Sequence, residues 1–202
     1  MKIICVGRNY IDHAKELNNP VPSKPLLFMK PSSALLDRSK PIFYPEFTKD
    51  LHYEGEIVLK ISGNVRCVEE RFAHKYYNEI SIGIDFTARD IQEQCKQKGH
   101  PWEIAKAFDG SAPIGKFISI DKVDRNAISF QLKKNGVVVQ DGNTRDLIFS
   151  LDHLVSYTSH FFSLHTGDLI YTGTPAGVGP VQIGDQLEGF IEGEHLLSCR
   201  VK

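Results

Sequence analysis

The run Leu51-His52-Tyr53-Glu54-Gly55-Glu56-Ile57-Val58-Leu59-Lys60-Ile61 reads as a β-strand, because β-branched and apolar residues dominate it. Side chains two residues apart project from one face of a strand, so Glu54 and Glu56 point the same way. On its own such a pair is more often the solvated face of a sheet. Asp85 changes that balance. It ends the run Ile80-Ser81-Ile82-Gly83-Ile84, where isoleucines alternate with small residues. A carboxylate beside Ser81 and Gly83, on a strand whose other face is apolar, is an expensive group to bury unpaired. A cation would resolve that cost. Three oxygen ligands, with no cysteine and no histidine at zinc-like spacing, suit Mg²⁺ or Mn²⁺ and not zinc.

The 202 residues fit one compact domain, residues 1–202, long enough to bury roughly 70% of the unfolded surface without disulfides. Lysine and arginine (24) balance aspartate and glutamate (25), and no basic run could follow a phosphate backbone. Nucleic acid is not an expected partner. The N-terminal apolar stretch is too short for a signal peptide, and no window approaches the roughly 20 apolar residues of a membrane span. The expectation is a soluble cytoplasmic protein with no membrane partner. Cys5, Cys67, Cys95 and Cys199 lack CxxC spacing and read as free, buried thiols.

Locally, Ile3 to Val6 reads as a strand and Asp12 to Leu17 as a short helical stretch, broken by three prolines between residues 20 and 25. Residues 10–24 are a candidate mobile lid. Leu26 to Pro31 reads as a short buried strand. Thr87-Ala88-Arg89-Asp90 resembles a capping box opening a helix to Lys98, stopped by Gly99, with Arg89 and Gln92 one turn apart. Asn135-Gly136 between apolar runs predicts a type I′ hairpin. Ser150 is placed to cap a helix through Leu164, with Leu151, Leu154, Val155, Phe161 and Phe162 as its buried stripe. Strands at 168–172, 186–191 and 195–201 close the chain. The total is α+β and β-rich, with strand and helix alternating too irregularly for a doubly wound sheet.

Further constellations carry chemistry. His13 and Glu16, three apart, could form a base and its orienting partner, though by spacing alone they are more often a surface pair. Lys106, flanked by small and aromatic residues, reads by itself as a partly buried, snorkelling lysine. The loop Gly173-Thr174-Pro175-Ala176-Gly177-Val178-Gly179 could cradle a carboxylate with its amides, but lacks the P-loop and dinucleotide patterns. His52 shares the glutamates' face and could support the site from behind.

Taken together, Gly7-Arg8-Asn9-Tyr10-x-Asp12-His13, Phe28-Met29-Lys30-Pro31-Ser32, Glu54-x-Glu56, Asp85-Phe86-Thr87-Ala88-Arg89-Asp90-x-Gln92, Lys106-Ala107-Phe108-Asp109 and Gly173-Thr174-Pro175-x-Gly177-Val178-Gly179 resemble the fumarylacetoacetate hydrolase family. The match runs in order over nearly the whole chain. Its length, and Asp12-His13-x-x-Glu16, resemble the short acylpyruvase and oxaloacetate decarboxylase members. The resemblance implies a mixed β-sandwich roll, a homodimer and a metal held by Glu54, Glu56 and Asp85. It also implies His13, Glu16 and Lys106 as catalytic groups, and Arg89, Gln92 and Thr174 on a small 2-oxo acid substrate. Gly55, variable in the family, would let the backbone approach the site closely. The first expectation is Mg²⁺-dependent hydrolysis of the C3–C4 bond of acylpyruvates, with oxaloacetate decarboxylation beside it. The alternatives are isomerisation or decarboxylation of 2-hydroxymuconate-type diacids, oxaloacetate tautomerisation, and a non-catalytic 2-oxo-acid binding protein.

Overall fold

The structure, a computed structural model, describes residues 1–12, 21–37 and 40–202. Its first part supplies strands β1 (Ile3–Gly7), β2 (Leu26–Lys30), β3 (Leu35–Asp37), β4 (Leu51–Tyr53) and β5 (Gly55–Ile61), then the single-turn helix α1 (Glu70–Ala73) and strand β6 (Tyr77–Ile84). Strand β7 (Thr87–Ala88) leads into helix α2 (Arg89–Lys98) and the short α3 (Glu103–Lys106), followed by β8 (Ala112–Ile114) and β9 (Ile118–Ser119). The remainder forms β10 (Ser129–Lys134), β11 (Val137–Asn143), helix α4 (Leu151–Phe161), β12 (Leu169–Tyr171), β13 (Gly179–Pro180), β14 (Gln186–Ile191) and β15 (Glu194–Arg200).

The fold is α+β and β-rich. A mixed sheet runs β2-β1-β12-β5-β6-β8-β3, with β9 also on β6; β1 pairs in parallel with β12, and β3 with β8. A four-stranded antiparallel sheet, β11-β10-β14-β15, packs on it, and β13-β4-β7 form a small third sheet. Both faces of β1 and β5 are buried, which explains their continuous apolar runs. One face, with Ile4, Val6, Ile57, Leu59, Ile80 and Ile82, shares the main core with Phe130, Leu132, Leu187 and Leu197 of the second sheet and Leu154 and Val155 of α4. The other face holds a smaller cluster around Ile3, Cys5, Val58, Leu169 and Tyr171. No helix among the described residues is long and apolar enough to cross a membrane.

Several local expectations change. The strand expected from Leu51 to Ile61 is two strands in two sheets, parted at Glu54. Helix α2 starts at Arg89, because Thr87 and Ala88 pair with His52 and Leu51, and the Thr87 hydroxyl donates to the Asp85 carbonyl instead of capping. It stops at Gly99 as expected, with φ 66° and the amides of Gly99 and His100 returning to the carbonyls of Lys96 and Cys95. Asn135 and Gly136 both have positive φ in the β10–β11 turn. In α4 the Ser150 hydroxyl accepts from the His153 amide, but the helix ends at Phe161, which is 58% exposed, and Phe162 lies outside it. The buried face is completed by hydroxyls: Ser156 donates to the Val68 carbonyl and Ser159 accepts from the Val68 amide. Apolar periodicity cannot detect a polar face of that kind. Cys67 is exposed, whereas the other three thiols are buried. The expected helical stretch at 12–17 beyond Asp12 and most of the lid at 10–24, with His13 and Glu16, lie outside the described residues.

Candidate active site

The parting of β4 from β5 leaves the two-residue repeat intact. Glu56 stands opposite Gly83 on β6, and the Asp85 amide donates to the Glu54 carbonyl (2.8 Å). Glu54, Glu56 and Asp85 therefore converge at one end of the β5–β6 pair. All three are buried, and one oxygen of each lies within 4.8 Å of the others. The Glu56 carboxylate accepts the Gly173 amide (2.8 Å). Burial pushes its carboxyl well above the usual range, and the charges of Asp85 and Glu54 push it further.

Three cations answer this charge. Lys106, at the end of α3 and only 3% exposed, donates from Nζ to Glu54 Oε2 and Asp85 Oδ2, both at 2.7 Å. Burial opposes its charge, but Asp85 and Glu54 outweigh burial and hold the ammonium above the ordinary lysine range. Lys106 is thus a fixed cation and not a snorkelling side chain. Lys30, at the end of β2, places Nζ 2.7 Å from Asp85 Oδ1. Its protons go to the carbonyls of Lys106, Ser111 and Phe86, so Oδ1 gains charge neutralisation without a directed hydrogen bond. Arg89 pairs with Glu54 and donates from Nη1 to Gln92 Oε1 (2.9 Å). An all-oxygen donor set, three convergent carboxylates and a buried Asp85 oxygen lacking a directed donor together fit a hard divalent cation, held by Glu54, Glu56 and Asp85.

The cleft over this centre is also lined by Arg8, Phe28, Lys96, Trp102 and Thr174. In the glycine-rich loop the Gly173 amide is given to the Glu56 carboxylate. Gly173 has φ 103°, and a Cβ there would sit 2.6 Å from the Cβ of Asn9. Asn9 cannot yield easily, because its side chain bonds the Thr172 carbonyl and both backbone groups of Phe149. Thr174 Oγ1 donates to the Gly55 carbonyl (2.9 Å) and accepts from Gln140 Nε2 (2.8 Å). Gly55 makes its close approach to Gln140 and Leu132 of the second sheet, not to the cleft. His52 turns to Asp50 (2.8 Å) and does not line the cleft.

The structure thus brings together Glu54, Glu56, Asp85, Lys106, Arg89, Gln92 and Thr174, while His13 and Glu16 lie outside the described residues. Sequence reasoning gave no role to Lys30, Gln140, Arg8 or Lys96. For Lys96 a signal existed, since it follows Arg89 and Gln92 at helical spacing.

Residues 2–202 match the family model for the fumarylacetoacetate (FAA) hydrolase C-terminal region. The chain belongs to the fumarylacetoacetate hydrolase family. Among its relatives, the mitochondrial oxaloacetate tautomerase FAHD1 of Homo sapiens is 43% identical over 99% of this chain and 91% of its own length. The oxaloacetate tautomerase YcgM of Escherichia coli (strain K12) is 40% identical over 99% of this chain and 92% of its own. The crystal structure of fumarylpyruvate hydrolase from Pseudomonas aeruginosa in complex with Mn²⁺ and pyruvate is 38% identical, with a TM-score of 0.93 over 100% of this chain and 89% of that one. In this chain the mixed sheet, with the second sheet packed on it, is the framework that carries the carboxylate triad.

Proposed function

We propose that the protein is a divalent-metal-dependent enzyme acting on 2-oxo acids, and that its principal reaction is keto–enol tautomerisation of oxaloacetate. The observation that carries this reading is the buried Lys106 ammonium, shared by Glu54 and Asp85 at 2.7 Å beside a triad able to hold a metal. A bound divalent cation supplies Lewis-acid polarisation of the substrate's 2-oxo group. Lys106, whose Nζ donates to Glu54 and Asp85, stabilises negative charge at the C2 oxygen when the C3 proton leaves. Arg89 occupies Gln92 Oε1, so Gln92 Nε2 is the donor left for a substrate carboxylate. Thr174 shapes the wall beside it. His13, oriented by Glu16, is the proposed carrier of the C3 proton.

The names of the relatives support tautomerisation over acylpyruvate hydrolysis, the first expectation from sequence, and tautomerisation requires no activated water. Acylpyruvate hydrolysis is the second reading, favoured by the likeness to a fumarylpyruvate hydrolase that binds Mn²⁺ and pyruvate. Both reactions, and decarboxylation of oxaloacetate, pass negative charge through the same C2 oxygen. The proposal includes a homodimer, which light scattering reports as twice the chain mass.

The test follows loss of the oxaloacetate enol by ultraviolet absorbance, with Mg²⁺ and with a chelator, beside pyruvate release from oxaloacetate and acetylpyruvate. Metal-dependent enol loss faster than either pyruvate release is the expected result. Acetylpyruvate cleavage as the fastest reaction selects hydrolysis. No metal-dependent turnover of either substrate removes both readings.

A further inference from the structure

Five cationic side chains stand at the triad or in the cleft over it, and three of them are committed. Lys30, Lys106 and Arg89 each stand on a carboxylate of the triad, at Asp85 or Glu54. The other two, Arg8 and Lys96, line the same cleft, and among the described residues neither has an acidic partner at ion-pair distance. Glu93, three residues before Lys96, accepts instead from Gln97 Nε2 (3.1 Å). Both cations are half-buried. Burial, then the like charges of Arg89 and Arg8, holds Lys96 below the ordinary lysine range despite the opposing pull of Glu93.

Their placement is built into the fold. Lys96 follows Arg89 and Gln92 along one face of α2, at i, i+3 and i+7. Arg8 has φ 60°, a left-handed backbone uncommon for a residue with a side chain, where the chain leaves β1. The next residue, Asn9, is fixed by its bonds to Thr172 and Phe149, so the turn at Arg8 is held from both sides. A substrate with a single carboxylate on the metal side leaves these two cations with nothing to answer. A diacid presents a second carboxylate on the same carbon chain.

We propose that Arg8 and Lys96 form a subsite for a second carboxylate, which selects 2-oxo diacids over acylpyruvates with an uncharged tail. This rests on the reading of the triad as a 2-oxo-acid centre. The charge-assisted hydrogen bonds of such a subsite form only with the distal carboxylate, so their effect separates diacids from smaller anions.

The test compares oxaloacetate with oxalate, which carries the metal-chelating oxygens and no distal arm. In Mg²⁺, KM for oxaloacetate and the calorimetric Kd of oxalate are measured for the unaltered protein, Arg8→Gln and Lys96→Gln. The expected result is a rise in the oxaloacetate KM of roughly tenfold or more in each variant, several times larger than any change in oxalate affinity. The two positions lie on different elements, so a folding defect in one leaves the other informative, and oxalate binding reports an intact centre. Parallel losses for both anions indicate general electrostatic attraction and overturn the subsite, as does an unchanged oxaloacetate KM in both variants. If the unaltered protein binds no oxalate in Mg²⁺, the reading of the centre itself fails and the subsite with it.

Discussion

Lys106 holds two buried carboxylates on one ammonium, so its removal shows what the triad costs when unpaired. Lys106→Met is expected to destabilise the protein by about 3 kcal/mol in a chelator, because breaking a buried pair strands its partners. Mg²⁺ is expected to narrow that gap by supplying charge to the same oxygens, while the proposed tautomerase activity stays down about a hundredfold or more. Urea denaturation with chelator and with Mg²⁺ checks this; an equal gap in both conditions separates Lys106 from the metal centre. At this scale the types and spacing of Glu54, Glu56 and Asp85 were legible, because Asp85 beside small residues on an otherwise apolar strand is an unusual placement. Lys30 was not. Nothing local tells a lysine ending an apolar strand that its protons will go to the carbonyls of Phe86, Lys106 and Ser111.

Two glycines separate the cost of a turn from the cost of a contact. Gly136 has φ 81° with nothing within 4 Å of an added Cβ, so Gly136→Ala should cost about 1 kcal/mol from backbone strain alone. Gly173 has φ 103° and the Cβ of Asn9 at 2.6 Å, so Gly173→Ala should cost about 3 kcal/mol and lower activity by displacing the amide that holds Glu56. Urea midpoints and turnover of both variants decide the matter; equal costs would mean that Asn9 gives way freely. The Asn135-Gly136 hairpin could be read from sequence because a type I′ turn needs only its own two residues. The buried face of α4 could not be, since Ser156 and Ser159 are buried through bonds to Val68, a segment far away in sequence.

For the molecule as a whole, Asp168 ties the start of β1 to the entry of β12. It accepts the Lys2 amide (2.7 Å) and the His165 amide (2.9 Å) and pairs with the Lys2 ammonium (2.6 Å). Burial raises its carboxyl, but the bonds from Lys2 and His165 outweigh burial and hold it below the ordinary range. A depressed folded value means that the stabilisation is present above the unfolded value of about 3.9 and disappears as pH falls through the folded one. Asp168→Asn should therefore cost about 1–3 kcal/mol at neutral pH, with the gap closing below about pH 4. Denaturation of both proteins across that range tests it, and a gap independent of pH would assign the loss to packing. The sequence by itself determined the β-rich composition, the hairpin, the stop of α2 and the residue types able to bind a metal, because each depends on neighbours within a turn or a strand. Only the tertiary structure decided that Glu54 parts two sheets, that β1 lies beside β12, and which cations face the carboxylates. Those contacts join residues tens of positions apart, Lys106 to Glu54 and Gly173 to Glu56, and local preference carries no information about a partner that only folding brings near.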